Sequence, residues 1–262
     1  MCHAEAPAES APPLSREEVR VPLAGGEELP ALLVRPAAGE GPAVLVVPDI
    51  FGRSPFYEDL GARLAAAGFT ALVTELFFRQ GPLAERTFPA ATARRAKLDE
   101  RRALRDLDAA VGWLAAQPGV QGGRTGTIGF CLGGTFVLAL AAERDDLATI
   151  CYYGFPAGPR HPAGPNAVLE PLALVDRING PIIGFWGDQD ESVGMEDVRR
   201  LADELGARGV EFGHTVYPGL GHGFLGAVGF DPGHDAFAAA DDSWKRALEF
   251  YRRHLGRART GV

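Results

Sequence analysis

"TIGFCLGGTFVLALAAE", residues 127–143, joins a short apolar run to an alanine-rich run and places one cysteine between glycines at the join. The first run has the length of a buried strand and the second is typical of a helix, so Cys131 lies at a strand-to-helix turn. A cysteine that only fills a core behaves as a small hydrophobe and needs no flanking glycines. The stretch therefore predicts an α/β unit whose sharp turn presents a thiol.

The same alternation extends over most of the chain. A hairpin-like segment around Gly25 and Gly26 comes first, and apolar runs of strand length then alternate with amphipathic runs of helix length. This pattern predicts a mostly parallel central sheet with helices on both faces, in a single α/β domain over residues 15–262. Residues 1–14, rich in Ala and Pro, are predicted to be a disordered lead.

Three segments between the regular runs carry further predictions. Residues 79–95 are predicted to be irregular, and they lead into a charged amphipathic helix expected over residues 96–117. Residues 155–170 are rich in Pro and Gly and are predicted to be a loop. That loop either folds over the site as a lid or crosses the surface, and composition does not choose between the two.

The amino-acid composition argues against some classes of binding partner. The formal net charge of −8 and the pI near 5.3 argue against a nucleic-acid or anionic membrane surface, where a basic face is expected. The three cysteines lack the spacing of metal sites and disulfide frameworks, and no apolar run reaches membrane-spanning length. We therefore expect a cytoplasmic protein that uses no metal or organic cofactor and binds a small molecule.

The cysteine of the opening stretch lies in the pattern Gly-x-nucleophile-x-Gly. Such an elbow follows a strand, opens a helix and holds its side chain clear of the sheet. The positive end of the helix dipole favours the thiolate, which is the reactive species. The alternative is a buried cysteine in a tight turn, and the rest of the chain must decide between the two.

A nucleophile on an elbow requires a histidine base and an acid, in the chain order nucleophile, acid, histidine. Asp188 and Asp190 follow a predicted strand at 181–187, and His222 lies between two glycines after the next predicted strand. These are the carboxyl ends of strands, where open α/β sheets place their sites. Asp190 is the favoured acid, and Asp188 is the alternative that caps or braces the loop.

These residues resemble the motifs of the dienelactone hydrolase family of α/β-hydrolases. The cysteine motif matches residues 129–134, the acid loop matches residues 187–190, and the Gly-His loop matches residues 221–222. The likeness extends from about residue 18 to residue 255. It implies an α/β-hydrolase fold and a triad of Cys131, Asp190 and His222.

The resemblance implies roles for three further residues. In the family a carboxylate after an early strand bonds the resting thiol, which maps onto Asp49, and the backbone N–H of the next residue, Ile50 here, lines the oxyanion hole. The family arginine that holds the substrate carboxylate maps onto Arg79, whereas Gly226 occupies the position of a second such arginine. A turn role for Asp49 and a surface role for Arg79 stay open as alternatives.

Together these residues predict a cysteine hydrolase of a lactone or small carboxylic ester. Cys131 attacks the carbonyl, His222 moves the proton and Asp190 orients the imidazole, while the N–H groups of Leu132 and Ile50 bind the oxyanion. Water then hydrolyses the thioester.

Three other functions stay open. The protein could be a general esterase or thioesterase of the same fold, or a hydrolase-fold protein that binds its ligand without turnover. The third is a redox sensor at Cys131, although no resolving cysteine adjoins it and Cys151 is predicted to be core.

Overall fold

An eight-stranded sheet runs through the protein in a computed structural model, which describes residues 14–158, 169–227 and 232–256. In chain order the strands are β1 (Ser15–Pro22), β2 (Glu28–Arg35), β3 (Ala43–Val47), β4 (Thr70–Thr74), β5 (Thr125–Phe130), β6 (Leu147–Tyr152), β7 (Ile182–Gly187) and β8 (Phe212–Tyr217). The helices are α1 (Pro55–Ala66), α2 (Phe88–Arg95), α3 (Glu100–Ala115), α4 (Leu132–Ala141), α5 (Met195–Ala207) and α6 (Phe237–His254).

The strand order is β1-β2-β4-β3-β5-β6-β7-β8. β1 and β2 form the antiparallel hairpin predicted around Gly25 and Gly26, β2 pairs antiparallel with β4, and every other pair is parallel. The predicted fold class, a mostly parallel sheet of the α/β-hydrolase type, is therefore confirmed.

Side chains of the central strands alternate between two cores, because successive residues of a strand point to opposite faces. In β3, Val44 and Val46 belong to one cluster with residues of α1 and α6, whereas Leu45 and Val47 belong to the other with residues of α3 and α4. Helices therefore cover both faces of the sheet. This explains the continuous apolar runs, since both faces of each central strand are buried.

The prediction that residues 79–95 are irregular is wrong for the second half of that segment, where α2 forms. Thr87 precedes the helix, and its hydroxyl accepts a bond of 3.4 Å from the N–H of Ala90. Pro89 lies in the first turn, where a missing N–H costs nothing. These start signals are short, and the alanines and arginines that follow give little apolar periodicity.

The helix predicted over residues 96–117 begins later, at Glu100. Asp99 caps it, and its carboxylate accepts the N–H of Arg102 at 2.9 Å. Of the predicted lead the structure describes only Leu14, which packs against the core. The middle of the predicted loop, residues 159–168, lies outside the described residues.

Candidate active site

The pairing of the strands brings the predicted site residues to one end of the sheet, where the parallel strands finish. β3 pairs with β5 so that Val47 lies opposite Gly129, and β7 pairs with β8 so that Gly187 lies opposite Tyr217. Asp49 and Cys131 each follow their member of the first pair by two residues. The parallel strands therefore place Asp49 beside Cys131, and Asp190 and His222 in loops that leave the same end of the sheet.

The backbone at Cys131 has the strained geometry of a nucleophile elbow. Its φ of 55° and ψ of −117° lie in a region that residues other than glycine rarely adopt. Its N–H donates to the carbonyl of Tyr152 at 3.0 Å, and α4 begins with the next residue. Strain of this kind costs about 1–3 kcal/mol and persists where the surroundings fix it, often at functional sites.

Close backbone packing explains why a glycine follows the elbow. A Cβ on Gly133 would lie less than 3.0 Å from the carbonyl oxygens of Val47 and Pro48. The first turn of α4 therefore rests directly on the backbone that leads into Asp49. This contact brings the Cys131 elbow and the loop after β3 together without intervening side chains.

His222 is bonded to Asp190, the carboxylate that the sequence favours. Its Nδ1 lies 2.7 Å from Oδ2 of Asp190, whose side chain is fully buried. The other carboxylate oxygen accepts the N–H groups of Ser192 at 2.9 Å and Val193 at 3.1 Å. An imidazole that donates its Nδ1 proton to this carboxylate carries its basic lone pair on Nε2.

Asp188 braces the histidine loop instead. Its carboxylate accepts the N–H of Gly219 at 2.7 Å, and its own N–H donates to the carbonyl of Tyr217 at 3.0 Å. A Cβ on Gly187 would lie less than 3.0 Å from the carbonyl oxygen of Leu220. The acid loop and the histidine loop are therefore locked together by main-chain contacts.

Two aromatic rings flank His222, and sequence reasoning missed both. The ring of Tyr153 lies 5.0 Å from the imidazole, and the ring of Phe155 lies 5.7 Å from it at an interplanar angle of 23°. Tyr153 has a φ of 39°, so a second strained residue lies beside the site. The available signal was their position just beyond the carboxyl end of β6.

Asp49 begins a tight turn. Its carboxylate accepts the N–H of Phe51 at 2.8 Å, and its carbonyl accepts the N–H of Gly52 at 3.0 Å. Its own N–H donates to the Tyr57 hydroxyl at 3.2 Å, and the whole residue is buried. Asp49 therefore makes the local bond expected of a turn aspartate while its register places it beside Cys131.

Arg79 forms ion pairs with two carboxylates. Its Nη1 lies 2.5 Å from Asp106 of α3, and its Nη2 lies 2.7 Å from Glu27 in the β1–β2 connection. The guanidinium carbon also stacks 4.3 Å from the centre of the Phe78 ring. The hydrogen bond from Arg79 is the main cause that lowers the pKa of Glu27 below its usual value.

Cys151 lies in the core, as the sequence predicts. It is fully buried in β6, and burial raises the pKa of its thiol to about 12. A thiol held in the neutral form is a poor nucleophile and a poor redox partner. Cys2 lies outside the described residues.

The described residues contain neither a group of metal ligands nor a helix that could span a membrane. No three His, Cys, Asp or Glu side chains in residues 14–158, 169–227 and 232–256 are grouped so that they could hold a metal ion. No helix in those ranges is long and apolar enough to cross a bilayer.

Comparison with known proteins shows the family and the fold. The sequence profile of the dienelactone hydrolase family matches residues 29–255. A carboxymethylenebutenolidase from Rhodococcus opacus is 35% identical over 260 residues, which cover 97% of this chain and 98% of that protein.

Two solved structures have the same fold. A Klebsiella pneumoniae structure described as a "Putative Dienelactone Hydrolase" is 29% identical, superimposes with a TM-score of 0.80, and covers 92% of this chain and 100% of its own. A dienelactone hydrolase from Anabaena variabilis is 20% identical and has a TM-score of 0.64, with 92% of this chain and 99% of its own covered. At that identity the second likeness concerns the fold alone.

Proposed function

This chain belongs to the dienelactone hydrolase family, and we propose that it hydrolyses a lactone or small carboxylic ester through a thioester on Cys131. Membership of the family makes the protein a hydrolase, so the proposal concerns the residues, the intermediate and the substrate. The observation that supports it best is the 2.7 Å contact between His222 and Asp190, in loops that leave the same end of the sheet as the Cys131 elbow. A protein that only binds its ligand has no use for this pair.

Acylation begins when Nε2 of His222 takes the thiol proton of Cys131. The thiolate sulfur attacks the carbonyl carbon, a C–S bond forms, and the carbonyl π electrons move to the oxygen. The N–H groups of Leu132 and Ile50 stabilise that oxyanion, and each such donor is worth about 3–4 kcal/mol in related enzymes. Asp190 stabilises the imidazolium of His222.

Collapse of the oxyanion breaks the bond to the ester oxygen, which takes the proton from the imidazolium. In a lactone this opens the ring, and the new hydroxyl stays on the acyl group. His222 then removes a proton from water, the hydroxide attacks the thioester, and the acid leaves as Cys131 regains its proton. The cycle is balanced without an added oxidant or reductant.

We assign the substrate to small lactones or esters, including those that carry a carboxylate. The R. opacus relative is named a carboxymethylenebutenolidase, which describes a lactone with a carboxylate side arm. Arg79 is the proposed contact for that carboxylate, and one of its two ion pairs must open for it to serve. The cytoplasmic location also stays a prediction.

The test compares two cysteines of the same chain. Cys131→Ala should lower kcat on an activated ester by at least about a thousandfold, because the nucleophile is lost. Cys151→Ala should keep most of the activity, because its thiol is fully buried in the core and held in the neutral form. Mass spectrometry of the wild type under rapid quench should show the acyl group on Cys131.

Turnover by Cys131→Ala above about a tenth of the wild-type kcat would refute the thioester mechanism. A wild type that binds esters but hydrolyses none would instead favour a ligand-binding protein. A panel of neutral esters, thioesters and lactones separates the lactonase from a general esterase of the same family.

A further inference from the structure

A buried arginine from α2 holds the turn formed by residues 49–52. Nη2 of Arg94 donates to the carbonyl of Ile50 at 3.1 Å, and Nη1 donates to the carbonyl of Gly81 at 3.2 Å. The guanidinium carbon lies 4.1 Å from the centre of the Phe77 ring. The side chain therefore has one fixed position, with 8% of the residue exposed.

The central peptide of this turn is bonded at both ends. Its carbonyl belongs to Ile50 and accepts from Arg94, while its N–H belongs to Phe51 and donates to Asp49 at 2.8 Å. The two common types of β-turn differ by a flip of this peptide, so the two bonds select one of them. A bond from a charged donor is about twice as strong as a neutral one.

The guanidinium of Arg94 bonds main-chain carbonyl oxygens rather than a carboxylate. Within the described part of the chain, no carboxylate oxygen lies in ion-pair distance of Arg94, and its Nε has no hydrogen-bond partner. Burial lowers the pKa of Arg94, because the charged form is less stable away from water. Glu75 and Asp49 act on this cation only at longer range.

We propose that Arg94 is a positioning residue for the reaction. Arg94 fixes the peptide between Ile50 and Phe51. The preceding peptide carries the Ile50 N–H, and its Asp49 carbonyl accepts the N–H of Gly52 within the same turn. By holding the turn closed, Arg94 keeps the Ile50 N–H presented to the substrate oxyanion. This inference rests on the proposed function, because it assigns that N–H to the oxyanion hole.

The next residue along the helix provides a matched control. Arg95 is 7% exposed and is also buried against a polar partner, but its Nη2 bonds Glu100 at 3.0 Å. Glu100 in turn accepts the N–H of Leu169 at 3.1 Å, so Arg95 contributes to a different anchor. Arg94→Met and Arg95→Met therefore each remove one buried guanidinium, and the two positions are adjacent in the chain.

The experiment measures two reactions of the same thiol. Ester hydrolysis uses the oxyanion hole, whereas alkylation of Cys131 by iodoacetamide does not. Arg94→Met should lower kcat by about tenfold or more, with KM and the alkylation rate each within about threefold of the wild type. Arg95→Met should leave the ratio of kcat to alkylation rate unchanged, even if it lowers the melting temperature.

Arg94→Lys keeps the inference testable if the methionine variant does not fold. One ammonium cannot span the Ile50 and Gly81 carbonyls as a planar guanidinium does, so kcat should fall by about threefold or more at an unchanged alkylation rate.

The proposal is overturned if kcat of Arg94→Met stays within about twofold of the wild type, or if kcat and alkylation fall in parallel. It is likewise overturned if Arg94→Lys matches the wild type in both reactions. Failure of the proposed function is separate, because it would appear as turnover by Cys131→Ala.

Discussion

Asp188 and Asp190 hold the histidine loop in different ways. Asp190 contacts the imidazole of His222 through a fully buried carboxylate, whereas Asp188 bonds the backbone N–H of Gly219. The contact of Asp190 favours one tautomer of His222 and stabilises its charged form. The contact of Asp188 fixes the conformation of the loop that carries His222. The same substitution at the two positions should therefore have different effects.

Asp190→Asn should lower kcat by about a hundredfold or more, because an amide no longer stabilises the imidazolium and can select the wrong tautomer. Asp188→Asn should stay within about fivefold of the wild type, since its amide oxygen can still accept the N–H of Gly219. Steady-state kinetics on an activated ester measures both. A larger loss at Asp188 would move the acid role to that residue.

The charge of Asp49 can be separated from its turn bond. A carboxylate beside a thiol disfavours the thiolate, so Asp49→Ala should move the pH profile of Cys131 alkylation towards lower pH. Asp49→Asn keeps an acceptor for the N–H of Phe51 but removes the charge, and it should move the profile equally. Profiles that coincide with the wild type would leave Asp49 as a turn residue only.

The elbow between β5 and α4 depends on backbone packing, which distinguishes its glycines from a glycine on an open helix face. A Cβ on Gly133 would collide with the carbonyl oxygens of Val47 and Pro48, whereas a Cβ on Gly112 of α3 would meet no atom within 4 Å. The same substitution should destabilise one helix and stabilise the other.

Gly133→Ala should lower the free energy of unfolding by about 2 kcal/mol or more, because the main chain must shift to admit the methyl group. Gly112→Ala should raise it by about 0.5–1 kcal/mol, since alanine restricts the unfolded chain and favours the helix. Urea unfolding measures both. Equal effects at the two positions would contradict the close packing of the elbow.

Periodicity and chain order suffice to predict the elements that carry the chemistry. The run at 125–130 is β5 to the residue, and Cys131, Asp190 and His222 follow strands in the expected order. The sequence could not separate Asp188 from Asp190 decisively, because both follow β7 and only the path of the loop determines which one reaches the imidazole.

Other parts of the site cannot be identified from the stretch of sequence around them. Arg94 lies 44 positions after Ile50 in the chain and bonds its carbonyl. The ring of Tyr153, just after β6, contacts His222 in the loop after β8. Such contacts depend on how separate elements pack, which no single stretch of sequence encodes. The helix α2 was missed for a related reason, since its stability comes from packing more than from periodicity.

At the scale of the whole molecule, Arg79 connects three parts of the fold. It lies after β4, and its carboxylate partners lie in the β1–β2 connection and on α3. Asp106 is 8% exposed, so the loss of its partner would leave a nearly buried charge uncompensated. The network therefore ties the edge hairpin to the helical layer.

Arg79→Gln should lower the free energy of unfolding by about 1–2 kcal/mol, because Asp106 loses its cation. If Arg79 also binds the substrate, the wild type should favour a carboxylated ester over its neutral methyl ester by about tenfold in kcat/KM, and the variant should lose that preference. Thermal melts and paired kinetics measure the two effects. A preference retained by Arg79→Gln would leave the arginine with a structural role alone.

The strand order also has a consequence for synthesis and refolding. Cys131 belongs to the middle of the sheet, but the proposed acid Asp190 follows β7 and the proposed base His222 follows β8, and these two strands are the last to leave the ribosome. Parallel pairing between strands distant in sequence forms slowly. Nascent or partly refolded chains will therefore carry the elbow cysteine before they can hydrolyse an ester, and recovery of activity will trail recovery of helix content.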